Sequence, residues 1–128
     1  MEKQLYNQLA EQILDASIFV HREMGPGLLE SIYEVCLEKE LSLRSIKTKS
    51  QVFLPLYYRG VELNRDFRID LLVEDKIIIE IKAVEKLIPV HEAQIISYLK
   101  LADKRLGFLI NFNASLLKNG FRRFVNNF

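Results

Sequence analysis

The spacing of apolar residues changes character twice along the chain. Between residues 3 and 22, Leu5, Leu9, Ile13, Ala16 and Val20 recur at helical intervals, with Tyr6 and Ile18 beside them. This predicts an amphipathic helix. Met24-Gly25-Pro26-Gly27 breaks it. A second helix is expected over 28–43, with Leu29, Ile32, Tyr33, Cys36, Leu37 and Glu40 on or near its buried stripe. From residue 46 the pattern alternates and is rich in β-branched and aromatic residues, which predicts strands at 47–58 and 61–73 joined at Arg59-Gly60. Pro55 places the first strand at a sheet edge or on a bulge. A third strand covers 76–83. Pro89 opens a helix over 90–103, bounded by Gly107, and strands follow at 105–112 and 120–127. The order α-α-β-β-β-α-β-β, with a crossover helix after three consecutive strands, predicts an α/β fold with a mixed β-sheet flanked by helices. No stretch reads as a linker, so residues 1–128 are expected to form a single domain.

Composition narrows the function classes. Apolar residues make up 49% and charged residues 27%, with a net charge of +1. No global basic field exists, and nucleic acid would have to be met by a local surface. The one cysteine, Cys36, excludes a disulfide framework and a cysteine-rich zinc site. The opening residues lack a signal-peptide pattern, and no apolar run reaches the roughly 18 residues of a membrane span. A cytoplasmic location without membrane contact is the expectation.

The chemistry concentrates in Phe67–Val84, where charges interrupt a buried-type hairpin. Asp70 sits among Ile69, Leu71 and Leu72, and Glu80 and Lys82 sit among isoleucines. Charges in a buried sheet are costly unless paired. Glu80 and Lys82 share a face, because side chains two apart on a strand do. The position of Asp70 depends on register. A two-residue turn at Glu74-Asp75 pairs Asp70 with Ile79 and sends the two carboxylates to opposite faces. A three-residue turn over 74–76 pairs Asp70 with Glu80, and all three charges converge. Facing carboxylates repel unless a cation lies between them, and an all-oxygen donor set suits Mg²⁺ or Mn²⁺.

The run Asp70…Glu80-Ile81-Lys82 resembles the PD-(D/E)xK nuclease motif, with Ile69 where that motif has proline. Gly27-x-x-Glu30-x-x-Tyr33 resembles the signature of the GxxExxY family, small proteins grouped with the PD-(D/E)xK superfamily. Gln94-x-x-x-Tyr98 resembles the Q-x-x-x-Y motif of RecB-like nucleases. The resemblance covers about residues 13 to 125. It implies a restriction-endonuclease-like core and divalent-metal-dependent hydrolysis of nucleic acid, DNA before RNA. It implies Asp70, Glu80 and the Ile81 carbonyl as metal ligands, with Glu30 on the metal directly or through water, and His21 as a further candidate. Lys82 would serve the attacking water. Gln94 and Tyr98 would contact phosphate or support Lys82. The alternative is an inactive nucleic-acid- or protein-binding module that keeps the fold. A homodimer or a larger nuclease assembly is compatible with so small a domain.

Several of these residues also have plain structural readings. Glu30 suits a helix N-terminus and His21 a helix C-terminus. Tyr33 reads as a packing residue with a hydrogen-bonding tip, Cys36 as core, and His91 as either a site neighbour or a helix cap. Arg122 and Arg123, adjacent on a strand, point to opposite faces. Lys100, Lys104 and Arg105 read as ordinary surface charge.

Overall fold

The computed structural model describes residues 2–63 and 67–128. Two helices come first, α1 (Glu2–Met24) and α2 (Glu30–Leu43). Strands β1 (Thr48–Phe53), β2 (Leu56–Tyr58), β3 (Val61–Leu63), β4 (Arg68–Val73) and β5 (Ile77–Lys82) follow. Helix α3 (Pro89–Leu101) leads to β6 (Leu106–Asn111), a 3-10 turn at Leu117–Gly120, and β7 (Phe121–Val125). Five strands form one sheet in the order β1-β4-β5-β6-β7. Among the described residues only β5 and β6 pair in parallel, joined by the α3 crossover. Within this sheet the expected order α-α-β-β-β-α-β-β holds.

The two long strands expected at 47–58 and 61–73 each divide. Pro55 carries no N–H to extend a ladder, and the chain leaves the sheet there. Residues 56–58 and 61–63 pair with each other as a separate two-stranded ribbon. Residues 64–66 of the expected strand lie outside the described residues. The edge position expected for the first strand holds for β1.

The central strands bury both faces. One core lies between the sheet and α1 and α2, built on Ile13, Tyr33, Leu37, Leu41, Leu71, Val73, Ile77, Ile79, Ile81, Phe108 and Phe112. The other lies under α3 and contains Ile69, Leu72, Ile78, Ile95, Tyr98, Leu99 and Leu109. The helical stripes are rotated slightly from expectation. In α1, Tyr6 is buried and Leu5 is not, and Ser17 lies inside because its hydroxyl donates to the Ile13 carbonyl at 2.7 Å. In α2, Tyr33, Leu37 and Leu41 face the sheet, while Leu29 (73% exposed) and Ile32 face outward.

The 3-10 turn returns the chain to the sheet through a close approach. A Cβ on Gly120 would lie 2.6 Å from the Asn111 carbonyl oxygen and 3.1 Å from the Asn111 Cβ. Backbone on one side and the buried Asn111 on the other leave no flexible group to give way. Gly120→Ala should lower stability by about 1–3 kcal/mol, the usual cost of overpacking, read as a shift of the urea midpoint at unchanged slope.

Candidate functional site

The hairpin turn decides where the charges go. Val73 pairs with Ile77, Leu72 with Ile78 and Leu71 with Ile79, which is the register of a three-residue turn. Glu74 and Asp75 both adopt left-handed backbone (φ 51° and 56°), and the Lys76 N–H donates to the Val73 carbonyl at 2.9 Å. Continued by one rung, this register sets Asp70 opposite Glu80.

At that rung the β4–β5 ladder stops, and the side chains take over. The Asp70 N–H donates to Glu80 Oε2 at 2.9 Å, and the Ile81 N–H donates to Asp70 Oδ2 at 2.8 Å. Each carboxylate thus satisfies a main-chain donor of the opposite strand. On the outer side, the β1–β4 pairing also skips one step. Ser50 pairs with Leu71 and Val52 with Ile69, but Gln51, opposite Asp70, has a left-handed backbone (φ 51°). Ile69 joins the α3-side core while Leu71 joins the other. The alternation of β4 therefore slips at Asp70, as distortions beside functional sites commonly arrange.

The Ile81 carbonyl belongs to this opening. Its N–H points to Asp70 on β4, and a strand residue directs its N–H and C=O to the same side. Lys82 alternates with it, its carbonyl accepting the Phe112 N–H at 2.9 Å on the β6 side. Lys82 itself stays half-buried at the end of β5.

Glu30 arrives from α2. Its Oε2 accepts the Ala83 N–H at 3.2 Å, just past Lys82. The sharp break before α2 makes this reach possible. Gly25 and Gly27 have φ of 71° and 99°, left-handed values that glycine adopts at no steric cost. Tyr33 Oη locks the break by donating to the Gly25 carbonyl at 2.6 Å and accepting the Leu28 N–H at 3.0 Å, with its ring stacked on Phe112 at 4.7 Å. The spacing of Gly27, Glu30 and Tyr33 therefore has a mechanical reading: Tyr33 fixes the turn that Gly27 permits, and Glu30 is aimed by both.

Gln94 and Tyr98 come from α3, with Gln94 Nε2 donating to Tyr98 Oη at 3.2 Å. Tyr98 stands near the carboxylates. Its hydroxyl is raised from its ordinary pKa, by burial first and by Glu80 and Asp70 after it, with the Gln94 bond opposing. His21 does not join them. Its Nε2 meets the Ala114 carbonyl at 2.7 Å, anchoring the end of α1 to the loop after β6. His91 caps α3, its Nδ1 accepting the Ile88 N–H at 3.1 Å. Lys104 and Arg105 are paired with Asp75 and Glu2. Arg122 meets Glu92, and Arg123 lies over the Phe128 ring.

Several contributors went unremarked in the sequence. Gln51 Nε2 donates to Glu34 Oε1 at 2.8 Å, and both line an open groove of about 700 Å³ with Glu30, Ser31, Arg68, Asp70 and Ala83. Nothing in a lone glutamine on an alternating strand marks it. Asn111 could have been found, as the polar residue in the apolar run Leu106–Phe112. Buried at 4% exposure, it accepts the Val84 N–H at 3.1 Å and donates to the Val84 carbonyl at 2.9 Å. It clamps the segment that carries Lys82.

The electrostatics are those of crowded acid. Glu80 is 3% exposed. Burial raises its carboxyl, Asp70 raises it further, and the Asp70 N–H and Lys82 oppose them, leaving it at about 8. Asp70 is raised as well, by burial first and also by Glu30, against the Ile81 N–H, Lys82 and Gln51. Glu34 is raised by burial, with Asp70 adding to the shift. Lys82 opposes the shift of both Asp70 and Glu80, and burial outweighs it at each. Among the described residues no three His, Cys, Asp or Glu side chains are grouped so that they could hold a metal ion. Two facing carboxylates and a main-chain carbonyl nevertheless fit magnesium, which keeps water and phosphate in its remaining positions.

A family model described as the PD-(D/E)XK nuclease superfamily matches residues 7–124, a span that runs from α1 to β7 and contains every residue of the cluster. Comparison with curated proteins and with solved structures found no match. With a mixed five-stranded sheet and a match over nearly its whole length, the chain belongs to the PD-(D/E)XK nuclease superfamily.

Proposed function

We propose that the chain is a single nuclease domain of the GxxExxY type that uses Mg²⁺ or Mn²⁺ to hydrolyse phosphodiester bonds in DNA. The observation that carries this reading is the interlock of Asp70 and Glu80, which brings two largely buried carboxyl groups together at the open end of the sheet, with Lys82 two residues after Glu80.

Asp70, Glu80 and the Ile81 carbonyl would hold the ion, with Glu30 at the rim in direct contact or through water. His21 bonds the Ala114 carbonyl through Nε2, which leaves its other ring nitrogen as the further candidate donor. The ion, when bound, supplies Lewis acidity toward a phosphate oxygen and acidifies water. Lys82 orients the attacking water and stabilises the negative charge that develops on phosphate. Tyr98 presents its hydroxyl from α3, held by Gln94, as a donor to phosphate or a support for Lys82. Asn111 keeps Lys82 in line by fixing Val84.

Two outcomes are expected. Cleavage of labelled DNA should require Mg²⁺ or Mn²⁺ and fall at least about a hundredfold in Lys82→Ala, the scale of losing one preorganised charge-stabilising group. Equal rates in both proteins would place the activity outside this site, and no cleavage in either would favour a binding module.

Stability should also report the site. The folded Glu80 carboxyl titrates at about 8, above its ordinary 4.5. The folded state therefore holds its proton more tightly than the unfolded chain. That stabilisation is complete below about 4.5 and is lost as pH rises toward 8. In chelator, the thermal midpoint should fall from pH 5 to pH 8. Mn²⁺ should restore it at pH 8, and Glu80→Gln should flatten the profile. A flat wild-type profile would mean that the carboxylates are solvated rather than crowded.

A further inference from the structure

Past Asp70 the outer strands continue to a rung that the chemistry above leaves unused. Phe53 and Arg68 are register partners across β1 and β4, two residues beyond Gln51 and Asp70, a step of about 7 Å along a strand. Arg68 lines the same groove as Gln51 and Asp70, and its guanidinium lies 5.0 Å from the centre of the Phe53 ring. Phe53 is 62% exposed and belongs to neither core. Among the described residues, neither core explains a large aromatic ring kept in solvent under an arginine.

The chain runs on from Phe53 into the ribbon. β2 begins three residues after Phe53, and the ribbon exposes Tyr57, Tyr58 and Val61, with Arg59 at its turn. Aromatic rings interleaved with arginines are the chemistry of a base-stacking track. Such tracks take single strands with little sequence preference, because every base has a π-face. A duplex keeps those faces stacked inside.

We propose that Phe53, braced by Arg68, stacks a base adjacent to the scissile phosphate, so that this site takes single-stranded nucleic acid in preference to duplex. The proposal rests on the nuclease reading of the Asp70–Glu80 cleft and adds its substrate class. Phe53 positions the strand, and no proton or bond change passes through it.

The test is fluorescence anisotropy of the full chain in chelator, with a labelled single-stranded oligodeoxynucleotide and the duplex of the same length. Phe53→Ala should weaken single-strand binding about tenfold, the scale of losing one base–aromatic stack. It should leave duplex binding within about twofold, and Phe53→Trp should restore single-strand affinity. Metal-dependent cleavage of an abasic single strand, which has no base to stack, should be equal in wild type and Phe53→Ala. Equal effects of Phe53→Ala on both oligonucleotides, or none on either, would overturn the proposal even where cleavage is intact. Loss of dimer in light scattering with single-strand binding unchanged would also overturn it, by assigning the ring to self-association. A wild type that prefers single strands through Phe53 but cleaves nothing would fail the nuclease reading alone.

Discussion

The structure depends on an exchange at one rung, where Asp70 and Glu80 each accept the main-chain N–H of the other's strand. A closed ladder would hold the two carboxylates a few ångströms apart with no route for a cation between them. An open ladder without them would bury unpaired N–H groups, which folded proteins avoid. The side chains that make the rung electrostatically hostile are the ones that satisfy its backbone. The surrounding devices keep this opening in shape. Gln51 bends β1 away from Asp70, Asn111 fixes the chain after Lys82, and Tyr33 sets the turn that aims Glu30.

The rest of the hairpin gives this rung its support. Leu71, Val73 and Ile77–Ile79 are fully buried between two cores, so the register is locked where no charge competes. A slip by one residue would exchange the faces of every side chain and drive Asp70 or Glu80 into a core. The hydrophobic half of β4 and β5 therefore specifies the geometry of the charged half. The parallel β5–β6 pair supplies the other constraint. Its crossover must return over the sheet, which brings α3, with Gln94 and Tyr98, above the end where the ladder opens.

How much of this could be read from the sequence follows from which forces act locally. The strands and α1 were legible from their periodicity and α3 from the Pro89 that opens it, and the nuclease motifs stood out because charge interrupts the strand pattern. The register was not. Glu74-Asp75-Lys76 contains neither Gly nor Asn, the residues that usually mark a left-handed turn. The conformation is held instead by distant contacts. Lys104 Nζ donates to the Asp75 carbonyl at 2.9 Å, and Glu74 Oε2 accepts the Lys47 N–H at 2.6 Å. Leu29 and Ile32 read as buried because α2 is apolar on both faces, and only the packing of Tyr33 against Phe112 selects one. His21 fits the end of a helix and a metal site equally well by sequence. In the fold its Nε2 meets the Ala114 carbonyl, 93 residues away, a contact that sequence spacing could not reveal.

The charge balance joins the cleft to the surface beyond it. The net charge is only +1, and the groove beside Asp70 is lined by Glu30 and Glu34 against Arg68, the one cation among the described residues that line it. Nucleic-acid binding elsewhere draws much of its affinity from neutralised phosphates and released counterions. Here the lining carboxylates repel a phosphate until a divalent ion lies between them. Affinity must then come from contacts that do not depend on a positive field, and stacked bases provide such contacts. On the proposed reading the two parts are consistent: the ring would hold the strand by its bases, with or without metal, and the metal would bring the backbone to the carboxylates.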